Sequence, residues 1–312
     1  MTEEFIIQTI TWEQPQSPEF MGTKEKFWFN HDGLGRCLFK YTRENTGEDW
    51  AEKIAAELCQ MLELPHAKCE FATCNNKRGI ITPTILVEGS ELVHGNELLA
   101  GRIPTYSAKD SKNKFHMSKH TLERALDVID NPEINLPLSW QVIDGINKAV
   151  EVFVGYLMLD ALIGNTDRHH ENWAVVECVE DKEQEIKLIK YLAPTYDHGS
   201  SLGRNEPDDK KRARLESKDR QFNVEAYASK AISAFYYKEG DRRPLSTIDA
   251  FVKVADLYPK AASIWLNKLK NIKDADINKL LNRIPKSLIS SISIEFVEKV
   301  LYINRNKLVG LL

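Results

Sequence analysis

The longest apolar run in this chain, Ala149–Ile163, ends at a glycine, and the stretch that follows is polar up to its closing tryptophan. Glu151, Gly155 and Asp160 interrupt the run, and it is shorter than the roughly 20 apolar residues that a membrane-spanning helix needs. A helix over residues 144–163 must therefore be buried in a globular core. The stretch after it reads Gly164-Asn165-Thr166-Asp167-Arg168-His169-His170-Glu171-Asn172-Trp173 and leads into a strand over residues 173–178. A polar turn between a helix and a strand can carry Asp167 and Asn172 toward one cleft. After a second strand, over residues 186–191, comes Pro194-Thr195-Tyr196-Asp197-His198-Gly199-Ser200.

Two strands that deliver an Asp-x(4)-Asn pair and then a lone Asp-x-Gly make the arrangement that phosphoryl transfer requires. One Asp orients the attacking hydroxyl and accepts its proton, while the Asn and the second Asp hold the metal that bridges the phosphates. The protein supplies position and charge neutralisation, with little covalent work asked of it.

The first third of the chain reads as β-rich. Short apolar runs at residues 5–7, 26–29 and 37–40 are strand-like, and Asn30-His31-Asp32-Gly33-Leu34-Gly35 between the last two predicts a hairpin. Residues 47–64 carry apolar positions at Trp50, Ile54, Ala55, Leu58, Met61 and Leu62, the spacing of a helix with one buried face, ended by Pro65. Strands follow at 68–73 and 79–87. Residues 90–135 are polar and irregular, with an exposed loop at 109–119, and a helix is expected around 113–130. Beyond residue 210 the pattern is helical, over 224–235, 247–257, 260–269, 276–282 and 294–304. The expected fold class is α+β and bilobal, with a β-rich lobe over residues 1–90 and a mostly helical lobe over 91–312, joined near residues 87–99.

Bulk properties narrow the function. With 42% hydrophobic and 28% charged residues the composition is that of a globular protein, and a formal net charge of −4 gives no global attraction to nucleic acid or an acidic membrane surface. Neither partner is expected. The N-terminus has no basic segment followed by an apolar one, as a secretory signal would. Five cysteines, Cys37, Cys59, Cys69, Cys74 and Cys178, form no Cys-x-x-Cys pair, which fits reduced thiols in the cytoplasm. His66, Cys69 and Cys74 lack a fourth ligand at zinc-finger spacing.

Asn165-x-Asp167-x-His169-x-x-Asn172-Trp173 and Ala193-Pro194-Thr195-Tyr196-Asp197-x-Gly199-Ser200 resemble the HipA-like kinases, bacterial serine/threonine kinases best known from toxin–antitoxin modules. The Asp-Arg-His-x-x-Asn stretch is also shared with the phosphatidylinositol kinases, which HipA-like catalytic domains resemble in fold. The resemblance implies a kinase-like fold, with ATP and Mg²⁺ as cofactors and a protein as acceptor. It makes Asp167 the catalytic base and Asn172 and Asp197 the metal ligands. His169 then braces the catalytic loop or touches phosphate. Gly22-Thr23-Lys24-Glu25-Lys26-Phe27-Trp28 falls where the family has its phosphate-covering loop, so Gly22, Thr23, Lys24 and Lys26 become nucleotide contacts. Lys40 matches the phosphate-gripping lysine, and Glu52 is chosen as its ion-pair partner over Glu48 and Glu57. The likeness runs over roughly residues 20–310, including Tyr227 to Ser233 and Phe296 to Asn304.

Two departures stand out. Only about 20 residues precede the phosphate loop, so the chain resembles a compact branch without the family's extra N-terminal subdomain. The loop also lacks the serine of the longer kinases, which leaves Thr23 as the nearest hydroxyl for an autophosphorylation switch. The family further implies an antitoxin or other small partner protein and a growth-inhibiting role. A kinase of lipids or small molecules, and a silent pseudokinase that only binds, are the rival readings. The basic run at 210–214 is a solvated face or a contact for an acidic or phosphorylated partner.

Overall fold

The structure, a computed structural model, describes residues 3–11, 15–18, 25–106, 117–182 and 185–312. Six strands form the first sheet: β1 (Ile7–Ile10), β2 (Pro15–Pro18), β3 (Lys26–His31), β4 (Gly35–Tyr41), β5 (Glu70–Cys74) and β6 (Lys77–Pro83), in the order β1-β5-β6-β4-β3-β2. The expected hairpin is present, with β3 and β4 antiparallel and Lys26 opposite Lys40. Phe27, Phe29, Cys37 and Phe39 bury one face of it, and Gly35 takes the left-handed conformation (φ 72°) that closes the turn.

Between β4 and β5 runs α1 (Glu48–Leu62), whose Trp50, Ile54, Ala55, Leu58 and Leu62 are buried as their spacing predicts. It stops before Pro65. Glu63 turns left-handed (φ 58°), and the Leu64 amide donates to the Cys59 carbonyl, closing the last turn.

A second sheet holds β7 (Ser90–His94), β8 (Ile134–Asn135), β9 (Ala174–Lys182) and β10 (Glu185–Leu192), in the order β7-β9-β10-β8. The helices are α2 (Gly95–Arg102), α3 (Leu122–Ile129), α4 (Ala149–Ile163), α5 (Asp208–Glu216), α6 (Val224–Ser229), α7 (Thr247–Leu257), α8 (Pro259–Asn271), α9 (Asp274–Leu281) and α10 (Ser291–Val309). The main core is built around α4, in which every residue but Glu151 is buried. Gly155 lets α4 lie close to its neighbours, since a Cβ there would come within 2.6 Å of Leu64 and 2.7 Å of Trp265.

Several expected elements change. The stretch read as irregular carries β7 and α2, and the helix expected around 113–130 is described only as α3; residues 107–116, with most of the expected exposed loop, lie outside the described residues. The helix expected over 224–235 stops at Ser229. The chain beyond it is claimed by tertiary pairing: Ile232 bridges Ser246, the Tyr236 amide donates to the His120 carbonyl, and Ala234, Phe235 and Tyr236 are buried without a helical period. Among the described residues no helix is long and apolar enough to cross a membrane.

Candidate active site

The C-terminal end of α4 sets the geometry of the polar loop. Gly164 ends the helix in the left-handed conformation (φ 62°), and the Asn165 amide donates to the Asp160 carbonyl at 2.8 Å. Asp160, the one carboxylate in the apolar stretch 152–163, is buried and accepts from Asn165 Nδ2 at 2.8 Å. Arg168 clasps it with both arms, Nε at 2.8 Å and Nη2 at 2.7 Å, while Nη1 donates to the Asn172 carbonyl at 2.8 Å. Burial disfavours the guanidinium charge, but Asp160 more than compensates, so Arg168 stays charged inside the core. Its Nη1 also lies 3.5 Å from the Tyr196 carbonyl, so one buried cation ties the loop of Asp167 and Asn172 to the residue before Asp197.

Asp167 is held from several sides. Its amide donates to Asn165 Oδ1 at 3.1 Å, and its carbonyl accepts from Asn172 Nδ2 at 2.6 Å. Ser200 Oγ donates to its Oδ2 at 3.1 Å, and the Thr166 amide donates to the Ser200 carbonyl at 3.2 Å. His169 Nδ1 accepts from the Glu171 amide at 3.1 Å, so the ring proton sits on Nε2, 3.5 Å from Asp167 Oδ1. His169 thus braces the loop. His170 turns the other way, into a buried cluster with Tyr106 (2.6 Å to its Nδ1) and His120.

Asp197 sits at left-handed φ (58°), a conformation that Asp tolerates better than most residues but that its surroundings must hold. The preceding Thr195 pairs with the chain that leaves α1: its amide donates to the Pro65 carbonyl at 3.0 Å, and its carbonyl accepts from Ala67 at 2.9 Å. From the first sheet, Lys40 Nζ reaches Asp197 Oδ1 at 3.4 Å. Burial alone would lower the Lys40 pKa, but Asp197 and then Glu52 outweigh it and hold the lysine above its ordinary value.

The three carboxylates weighed on α1 separate cleanly. Glu48 receives Arg43 at 2.7 Å and also Arg204. Glu57 pairs with Lys53 at 2.8 Å. Glu52 faces His198, 3.4 Å from its Nδ1, and among the described residues no ion pair joins it to Lys40. Burial pushes the Glu52 carboxyl up, and the hydrogen bond and charge of His198 overcome this and hold it below the usual range.

Gly22, Thr23 and Lys24 lie outside the described residues; Lys26 opens β3 beside Lys40. The five cysteines are free thiols, and no group of three or more His, Cys, Asp or Glu side chains suited to a metal occurs among the described residues. In the basic run, Lys211 is buried against Ser293 (2.6 Å) and the Trp50 ring, and Arg214 holds Glu206 and the Phe222 carbonyl, so only part of the run faces solvent.

No family model matches the sequence, and no curated protein matches it. Among solved structures, the proinflammatory kinase CtkA of Helicobacter pylori aligns over 100% of both chains, at 19% identity and a TM-score of 0.65. HipA, from the Shewanella oneidensis MR-1 HipA–HipB toxin–antitoxin complex with operator DNA, aligns over 95% of this chain and 65% of its own, at 12% identity and a TM-score of 0.57. This chain has a HipA-like kinase fold. At these identities the likeness is one of fold.

Within the HipA-like kinase fold, the structure joins His169 and Asn172 to Asp167 and Lys40 to Asp197, and Arg168 links the two loops through the Asn172 and Tyr196 carbonyls. Sequence reasoning missed Asp160, His198 and Ser200. The first carried a signal, since a carboxylate deep in an apolar helix needs a buried partner. His198 and Ser200 are ordinary residue types whose partners come from distant segments.

Proposed function

We propose that this chain is a kinase that transfers the γ-phosphate of Mg²⁺-ATP to a serine or threonine hydroxyl of a protein. The observation that carries this reading is the bond from Ser200 to Asp167, 3.1 Å, with Lys40 on Asp197 at 3.4 Å. On this reading Asp167 is the proton acceptor, Asp197 the metal-ligating carboxylate and Lys40 the phosphate-gripping cation, and these two contacts support it. We read residues 1–90 as the lobe that covers the nucleotide and 91–312 as the lobe that carries the reacting groups.

The donor set fits Mg²⁺. A cation of this kind takes oxygen ligands and is bound through one or two carboxylates plus phosphates. Asp197 offers a half-exposed carboxylate, and Asn172, whose Nδ2 is engaged by the Asp167 carbonyl, offers Oδ1. When bound there, the ion neutralises charge on the phosphate oxygens. Asp167 orients the acceptor hydroxyl and takes its proton as the oxygen attacks, with its rotamer fixed by Ser200 and His169. Lys40 leaves Asp197 for the phosphates, which supply a stronger concentration of negative charge. The protein acceptor, and a small partner of the antitoxin kind, follow from the HipA likeness and belong to this proposal.

Calorimetry with a non-hydrolysable ATP analogue tests the nucleotide half. The wild type should bind in a Mg²⁺-dependent way, and Asp197→Asn should lose the Mg²⁺ dependence. Equal binding with and without Mg²⁺ in both proteins would overturn the metal assignment.

A further inference from the structure

Resting on the phosphotransfer reading, we infer that His198 is a positioning residue through which Glu52 of α1 holds the Asp197 loop. Among the described residues Glu52 has one ion-pair partner, and it is this ring. His198 is buried to 2% exposure, with both nitrogens engaged: Nδ1 lies 3.4 Å from Glu52 Oε1 and Nε2 lies 2.8 Å from Thr195 Oγ1. Thr195 is itself paired to Pro65 and Ala67, just beyond α1. The imidazole is therefore tied on one side to α1 and on the other to the segment that α1 leads into. Its own carbonyl accepts from Ser201 Oγ at 2.8 Å, closing the turn behind it.

This arrangement meets a need of the neighbouring residue. Asp197 stands at left-handed φ, which costs free energy and persists only where the surroundings over-determine it. A side chain locked at both ends, one peptide away, fixes that backbone. Gly199 completes the fit: a Cβ there would lie 3.2 Å from both the Glu48 carbonyl and Glu52 Oε2, a tight approach, so the loop passes close against α1. Glu52 thus acts on the metal carboxylate through His198. Lys40, not bound to Glu52, can move between Asp197 and the phosphates.

A double-mutant cycle with Mg²⁺-dependent binding of a non-hydrolysable ATP analogue as its readout tests the assignment, with kcat and KM measured alongside. Partners that orient metal ligands typically matter by about 10- to 100-fold in metal affinity or activity. Glu52→Gln and His198→Ala should each weaken Mg²⁺-dependent binding by about tenfold or more, and the double variant should be no worse than either. Glu52→Gln combined with Lys40→Arg should instead lose clearly more than either single variant. His198→Gln, whose amide can keep the bond to Thr195 and stay polar toward Glu52, should recover part of the binding and kcat at an unchanged melting temperature. It also serves as the reference if His198→Ala melts early. Multiplicative losses for Glu52 and His198, or saturation between Glu52 and Lys40, would overturn the assignment. A wild type that binds no Mg²⁺-nucleotide would overturn the phosphotransfer reading and this inference together, whereas normal binding with an additive cycle overturns this inference alone.

Discussion

Asp160 and Arg168 form the buried pair on which the polar loop is built, and neither group can lose its partner cheaply. Removing one member of such a pair costs about 3–5 kcal/mol, because the other charge is left in the core. Arg168→Ala should therefore lower stability to urea by about that amount, and Arg168→Lys should recover only part, since an ammonium cannot make the two-armed contact. A loss below about 1 kcal/mol would contradict the account. His120 gives a pH signature. Burial first, then the nearby His170, pushes its pKa down to about 3. The folded state keeps the ring neutral while the unfolded chain protonates it below about 6.5. Its contribution is thus present above pH 6.5 and is lost as pH falls toward 3. In that window it should cost up to about 1.4 kcal/mol per pH unit, and urea midpoints of His120→Gln should show a flatter acid limb. At this scale the sequence exposed Asp167, Asn172, Asp197 and Lys40 by type and order. It chose Glu52 of α1 over Glu48 and Glu57 as the partner of Lys40, but the packing of α1 pairs Glu52 with His198 instead, a contact that no spacing along one helix reveals.

Strands and helices place these residues with little slack. Gly79 of β6 lies against β4 so closely that a Cβ would stand 2.5 Å from the Lys40 carbonyl, a backbone atom that cannot swing aside. Gly79→Ala should push β4 away at the position of Lys40. We expect a stability loss of about 1–3 kcal/mol together with a raised KM for ATP, whereas an unchanged KM would show that the strand position does not matter to the nucleotide. Elements with a clear period were legible: the β3–β4 hairpin, α1, α4, α7 and α8 fall close to their expected spans. The short ones were not. β7, β8 and α2 carry too few residues for a period, and pairing partners as distant as residues 134 and 190 exist only in the folded chain. The chain past Ser229 looked helical because alanines and aromatics recur there, but its backbone bonds go to residues 120 and 245.

At the scale of the whole molecule, α1 couples the first sheet to the helical core. That helix packs on the first sheet at β5 and β6 and on the helical core at α4, α8 and α9, and it carries the carboxylate that meets the Asp197 loop. A displacement of α1 would therefore disturb the six-stranded sheet and the Asp197 loop at once. The α+β class was legible because a β-rich and a helical portion follow each other along the chain, whereas the second, four-stranded sheet was not. The contact across them was not, because it depends on which side chains the closed structure brings face to face. The central claim is transfer itself. The measurement that tests it most directly is a reaction with γ-labelled ATP and Mg²⁺, comparing the wild type with Asp167→Asn, with the label mapped by mass spectrometry. The account predicts label on serine or threonine, in the protein or in an added protein acceptor, at a rate about 10²- to 10⁴-fold lower in the variant, with nucleotide binding retained. Equal labelling by the two proteins, or none by a wild type that binds Mg²⁺-ATP and is offered protein acceptors, would contradict it.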